Sequence, residues 1–267
     1  MPTLPRSSRL ASPVDTSAYG EYRATPPFYG FTGRVEHGTA GRYHLYAGWF
    51  CPWAQRTTIA RELAGLADAV TVSYVDNIRD GRGWAFREQY GPDLGNGFTL
   101  LRQAYERTEP GYAGHVSVPA LWDRSTGAIL SNDWRLIGID FATAFRSVAT
   151  PVVETYPEPL QAEIEELTGW LVPGVAPDAV EARLDELDAR LATRRYLVGD
   201  TVTEADIRVY VVLARYGAGL AEFKHLWPYA RDLYAIPAFR DTTNFTTFGA
   251  AGESGLDWTE PTERSRA

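Results

Sequence analysis

Residues 42–66 constrain the fold more than any other part of the chain. Tyr43, Leu45, Ala47 and Trp49 alternate with His44, Tyr46 and Gly48, and the strand formers Tyr and Trp dominate, so 42–50 reads as a β-strand. Cys51-Pro52 follows at once. Ile59, Leu63 and Leu66 then recur at helical spacing, with Pro52 in a first turn where its missing N–H costs nothing. A strand that runs straight into a helix through Cys-Pro makes a βα unit and sets the cysteine at the helix N-terminus.

The neighbouring segments supply partners for that unit. Residues 70–75 read as a second strand, 81–97 as a Gly-rich connection carrying Trp84 and Phe86, and 98–107 as a helix. Residues 116–123 and 128–130 form a hairpin around the turn Arg124-Ser125-Thr126-Gly127, and 134–145 is a further helix. The order β-α-β-α-β-β-α is that of a thioredoxin fold. After a Pro-rich linker at 151–159, Val180, Leu184, Leu187 and Leu191 form one apolar stripe of a helix starting near Asp178. Thr203-Glu204-Ala205-Asp206 has the spacing of a capping box ahead of the apolar run 207–213, which predicts a buried central helix whose acid is a cap and not a catalyst. The fold class expected is therefore α/β followed by all-α. The boundaries are an irregular arm at 1–40, a thioredoxin-like domain at 41–148, a helical domain at 149–250 and a loose tail at 251–267.

Composition narrows the chemistry. Among 267 residues there is one cysteine, which removes intramolecular disulfides, Cys-x-x-Cys couples and cysteine-based zinc sites. His37, His44, His115 and His225 show no ligand spacing, so no metal is expected. A net charge of −8 argues against a nucleic-acid partner, and no apolar run approaches the roughly 20 residues of a membrane helix. No secretory signal is visible at the start, so the expected setting is the cytoplasm.

What chemistry there is rests on Cys51. Free N–H groups and the positive end of a helix dipole favour a thiolate, and Cys51 is expected to be exposed with a pKa below the usual value of about 8.5. Val118-Pro119, about seventy residues further on and just ahead of a strand, stands where thioredoxin-like folds carry a cis proline whose preceding backbone pairs with a peptide-like thiol.

Gly41-Arg42-Tyr43-His44-Leu45-Tyr46 and Cys51-Pro52-Trp53-Ala54-Gln55-Arg56 resemble segments of the glutathionyl-hydroquinone reductases, the Xi-class glutathione transferases. Asn96-Gly97-Phe98 with Leu101-Arg102, Val116-Ser117-Val118-Pro119-Ala120-Leu121-Trp122-Asp123, and the stretches 195–200, 203–208 and 229–236 match in the same order, so the resemblance runs from about residue 41 to about 245. It implies a glutathione-transferase architecture and a reductase in which the Cys51 thiolate takes a thiol from a quinol adduct as a mixed disulfide, resolved by a second thiol. It further implies a thiol site made by Pro52, Trp53, Trp84, Val118, Pro119, Asp133 and Trp134, with Trp84 covering the thiol and Val118 pairing with its backbone. A homodimer is expected.

The departures from the family bear on ligand choice. Asp133-Trp134 stands where the family has a Glu-Ser pair for the γ-glutamyl group, Gln55 replaces a histidine, a helical-domain tyrosine is missing near Leu220, and Leu171-Val172-Pro173-Gly174 replaces Tyr-Lys-Ala-Gly. Of 26 lysines and arginines only Lys224 is lysine, a bias suited to an actinobacterial source, where mycothiol could stand in for glutathione. Two readings stay open: a thiol-dependent reductase, or a divergent transferase that joins a thiol to an electrophile or acts as a binding module.

Overall fold

The computed structural model describes residues 10–26, 30–172 and 177–260; the expectations that fall on Pro173, Gly174 and the two chain ends lie outside them. The first half is built on β1 (Tyr43–Ala47), α2 (Pro52–Leu63), β2 (Thr71–Tyr74), α3 (Arg102–Thr108), β3 (Ala120–Asp123), β4 (Ala128–Ser131) and α4 (Trp134–Thr143), preceded by a single-turn α1 (Thr16–Tyr19). The sheet order is β2-β1-β3-β4, with β2 parallel to β1 and the other pairs antiparallel. Leu45 stands opposite Val72 on one side and Leu121 on the other. β1 is thus central, and both its faces are buried. Tyr43 and Leu45 pack with Ile137 and Phe141 of α4, while Tyr46 and Ala47 pack with Phe86, Tyr105 and Trp122.

β3 begins only at Ala120, later than the sequence suggests, because residues 116–119 form an irregular run that ends in a cis Val118–Pro119 peptide. β3 is nonetheless held beside β1, and this brings Val118 level with the chain that leaves β1.

The second half is helical: α5 (Gln161–Thr168), α6 (Pro177–Leu191), α7 (Glu204–Leu213), α8 (Leu226–Tyr234) and α9 (Pro237–Arg240). α7 is buried, and its capping box forms as expected, Asp206 Oδ2 accepting from the Thr203 N–H at 2.7 Å. Asp206 Oδ1 also accepts from Leu197 N at 3.0 Å and from the Tyr229 hydroxyl at 2.6 Å, so this buried acid ties three segments together. Ile59, Ala60 and Leu63 of α2 join the helical core, which makes α2 the wall shared by the two halves. Among the described residues no helix is long and apolar enough to cross a membrane.

The described part of the expected tail, residues 251–260, is packed on the helical half. Trp258 is 8% exposed and packs edge-on against Trp227 and Tyr210, with Phe245 5.0 Å away, and Arg231 pairs with Glu260 at 2.6 Å. One large indole outweighs the Gly, Ser and Glu around it, since burying an aromatic of this size removes about 150 to 250 Å² from water.

Candidate active site

Cys51 is the N-cap of α2, with extended backbone (φ −89°, ψ 116°), its carbonyl accepting the first helical bond from Gln55 N at 3.0 Å. The turn at Gly48, whose carbonyl accepts from Cys51 N at 3.1 Å, delivers the residue from the end of β1. The Sγ donates to the Val118 carbonyl at 3.5 Å across the gap between the two loops. The cysteine and the Val-Pro step therefore meet, as their order along the chain suggested.

Exposure and ionisation do not follow the sequence expectation. Cys51 is only 8% exposed, and burial pushes its thiol pKa up; the N–H groups of Ala54 and Trp53 and the charge of Arg215 pull the other way without prevailing. The helix N-terminus acts as expected, but desolvation of the sulfur, which cannot be read from local sequence, outweighs it.

Two aromatic stacks involve residues on either side of Cys51 in the chain. On one side Phe50 stacks on Trp84 at 4.4 Å, and the Arg79 guanidinium lies 4.2 Å from the Trp84 ring and 3.9 Å from Tyr22 of the N-terminal arm. Tyr22 in turn bonds His115 Nδ1 at 3.0 Å, so the arm reaches the segment that leads to Val118. On the other side Trp53 stacks on Trp134 at 4.4 Å, and Arg56 lies 4.2 Å from the Trp134 ring. Arg56 is 2% exposed and stands 3.7 Å from Glu204 of α7. Burial lowers its pKa to about 9 against the pull of Glu204.

Asp133 caps α4 by accepting from Arg135 N at 3.0 Å, and its other oxygen pairs with the Arg135 guanidinium at 2.6 Å. Both oxygens are thus engaged within the protein. Where the family resemblance places a serine hydroxyl, the chain carries a 5% exposed indole.

Residues from the second half also reach the site, and sequence reasoning did not single them out. Arg215, just past α7, donates to Gln55 Oε1 and, at 3.5 Å, to the carbonyl of Trp49. Gln55 Nε2 donates to Thr243 Oγ1 at 2.8 Å, and Thr243 bonds the Tyr210 hydroxyl at 2.9 Å. A charged residue directly after an apolar helix is the available signal, and it reads by default as a solvated helix end. Among the described residues no cluster of His, Cys, Asp or Glu could hold a metal ion.

The family description "Glutathione S-transferase, N-terminal domain" matches residues 50–139, and "Glutathione S-transferase, C-terminal domain" matches residues 143–235. Glutathionyl-hydroquinone reductase YqjG of Escherichia coli is 34% identical over 236 residues, covering 76% of this chain and 72% of that protein. Its glutathione-bound structure superposes with a TM-score of 0.75 at 30% identity, over 85% of this chain and 89% of that one. A Xi-class transferase from Natrialba magadii reaches a TM-score of 0.78 at 29% identity, over 89% of each chain.

Proposed function

The chain belongs to the glutathionyl-hydroquinone reductase family of Xi-class glutathione transferases, and from that premise we propose that it removes a low-molecular-weight thiol from quinol or related adducts, with Cys51 as the nucleophile. It is a transferase-like, thiol-dependent enzyme. The observation that carries the finer reading is the meeting of Cys51 Sγ with the Val118 carbonyl at the mouth of α2.

In the first step the Cys51 thiolate attacks the sulfur of the thioether. A sulfur–sulfur bond forms, the carbon–sulfur bond breaks, and the electron pair left on the ring carbon takes a proton from water. A second thiol then attacks the mixed disulfide through its thiolate, the symmetrical disulfide leaves, and Cys51 recovers a proton. A chain with one cysteine needs that external second thiol. The thiol lies between the aromatic stacks, with Trp84 over it, Val118 pairing with its backbone beside Pro119, and Pro52, Trp53, Asp133 and Trp134 forming the wall at its headgroup.

The cosubstrate is glutathione or a thiol of another headgroup. The second alternative, mycothiol among them, is favoured by one observation: both Asp133 oxygens are taken by Arg135, and the Trp134 indole beside them is stacked on Trp53. A cytoplasmic setting and a homodimer belong to the same proposal, the first because an unpaired thiol nucleophile needs reducing surroundings. Intact-protein mass spectrometry after incubation with oxidised glutathione or oxidised mycothiol tests it. One adduct at Cys51, together with release of free quinol from a thiol–quinol adduct, is expected; adduct cleavage that proceeds without Cys51 would overturn the reading.

A further inference from the structure

The arginines drawn deepest into this protein carry carboxylates with them: Arg56 has Glu204, Arg61 has Glu62, Arg87 has Asp76 and Asp80, and Arg208 has Glu165 and Glu204. Arg215 does not. Its Nη1 donates to Gln55 Oε1 and to Val211 O at 3.0 Å, its Nη2 to Trp49 O, its guanidinium lies 3.7 Å from the Phe248 ring, and its Nε is buried without a partner. None of these partners is an anion. Among the described residues no carboxylate pairs with it, and burial lowers its pKa to about 10. The negative end of α7 offers only a partial charge. A guanidinium partly withdrawn from water without a full counter-charge favours an anion that forms beside it.

The position of its partners says which one. Trp49 precedes Cys51 by two residues and Gln55 follows it by four, so Arg215 grips the strand-to-helix junction on both sides of the sulfur. The groups acting on Cys51 are the N–H groups of Trp53 and Ala54 on α2, the Val118 carbonyl ahead of β3, and Arg215; Tyr210 on α7 acts in turn on Arg215. Arg56, on the same helix as Cys51, is already paired with Glu204. We propose that Arg215 is the counter-ion of the Cys51 thiolate, a positioning residue contributed by the helical half to a nucleophile on the sheet half. The inference rests on the reading of Cys51 as the nucleophile.

Iodoacetamide is neutral and needs no thiol substrate, so its capture of Cys51 against pH, followed by intact-protein mass, tests the pairing separately from reductase activity. Cys51→Ser is the blank. In Arg215→Gln the midpoint is expected to rise by about one pH unit, and in Arg215→Lys, which keeps the charge, to stay close to wild type. An unchanged midpoint in Arg215→Gln overturns the pairing. If that variant does not fold, Gln55→Met removes the acceptor that holds Arg215 without changing charge. A smaller rise is then expected, and no rise overturns the proposal. A shift found in a protein that cleaves no thiol adduct would leave the pairing standing and defeat the reductase reading; adduct cleavage with no shift would do the reverse.

Discussion

Trp134, the first residue of α4, lies stacked on Trp53 in the first turn of α2, ring centroids 4.4 Å apart and planes 26° from parallel. The first turns of the two helices are joined there by aromatic surface, at the position where the family resemblance places a serine for the γ-glutamyl group.

Glutathione should therefore bind the wild-type protein weakly, and Trp134→Ser should improve its affinity by about one to two decades, since a polar headgroup without a partner costs roughly 1 to 3 kcal/mol. The same substitution empties a buried site and should lower stability by about 3 kcal/mol, so calorimetric titration must be made well below the melting temperature of the variant. Titration of wild type with mycothiol completes the comparison. Equally tight glutathione binding by both forms would show that the indole is no obstacle and return the chain to ordinary glutathione use.

Cys51→Ser should abolish thiol-adduct reduction with the circular dichroism spectrum unchanged. Exchanging one sulfur for oxygen barely alters packing, whereas a serine hydroxyl is not ionised near neutral pH. Reduction and dichroism are measured on the same preparation. Activity that survives in the variant would point to conjugation of the thiol and away from a mixed disulfide.

Much of this arrangement is legible along the chain because it is local. The alternation of Tyr43, Leu45 and Ala47, the helical spacing after Pro52, and the capping box at Thr203 and Asp206 each act within a few residues, and each forms, the helix after Pro52 ending at Leu63, short of Leu66. What escapes is set by distant segments. Cys51 is closed over by neighbours such as Val118 and Trp84, far from it in the chain, and its burial reverses the effect of the helix N-terminus on its pKa. Trp258 sits in a polar stretch that gives no hint of the aromatic cluster waiting for it.

That cluster should matter to stability. Trp258→Ala should cost about 3 to 5 kcal/mol by removing a buried indole, and urea unfolding is the measurement. A cost under about 0.5 kcal/mol, the range of substitutions on open surface, would mean that the chain end contributes nothing to the helical core.

The Arg42–Asp123 pair should give a pH signature. The hydrogen bond from Arg42 holds the Asp123 pKa down to about 2, so the carboxylate is bound more tightly in the folded chain than in the unfolded one. Its stabilisation is complete above about 3.9, the unfolded value, and is lost as pH falls towards 2. Asp123→Asn should therefore be less stable than wild type at pH 6, with the gap closing on acidification. A gap that is constant with pH would assign the loss to packing alone.

Cys51 should show the opposite linkage. Burial disfavours the thiolate more strongly than Arg215 and the N–H groups of Trp53 and Ala54 favour it, so the folded-state pKa lies above its ordinary value. In the protein without bound thiol, capture by iodoacetamide should be slow at pH 7 and rise about tenfold per pH unit, with a midpoint above about 8.5. Because the unfolded thiol ionises first, wild type should lose stability relative to Cys51→Ser as pH rises past about 8.5, and the two should run parallel below it. Capture against pH and melting temperature against pH read the same quantity by independent routes. A capture midpoint below about 8.5 would mean that the guanidinium and the helix N-terminus together outweigh desolvation, and that the resting enzyme already holds a thiolate.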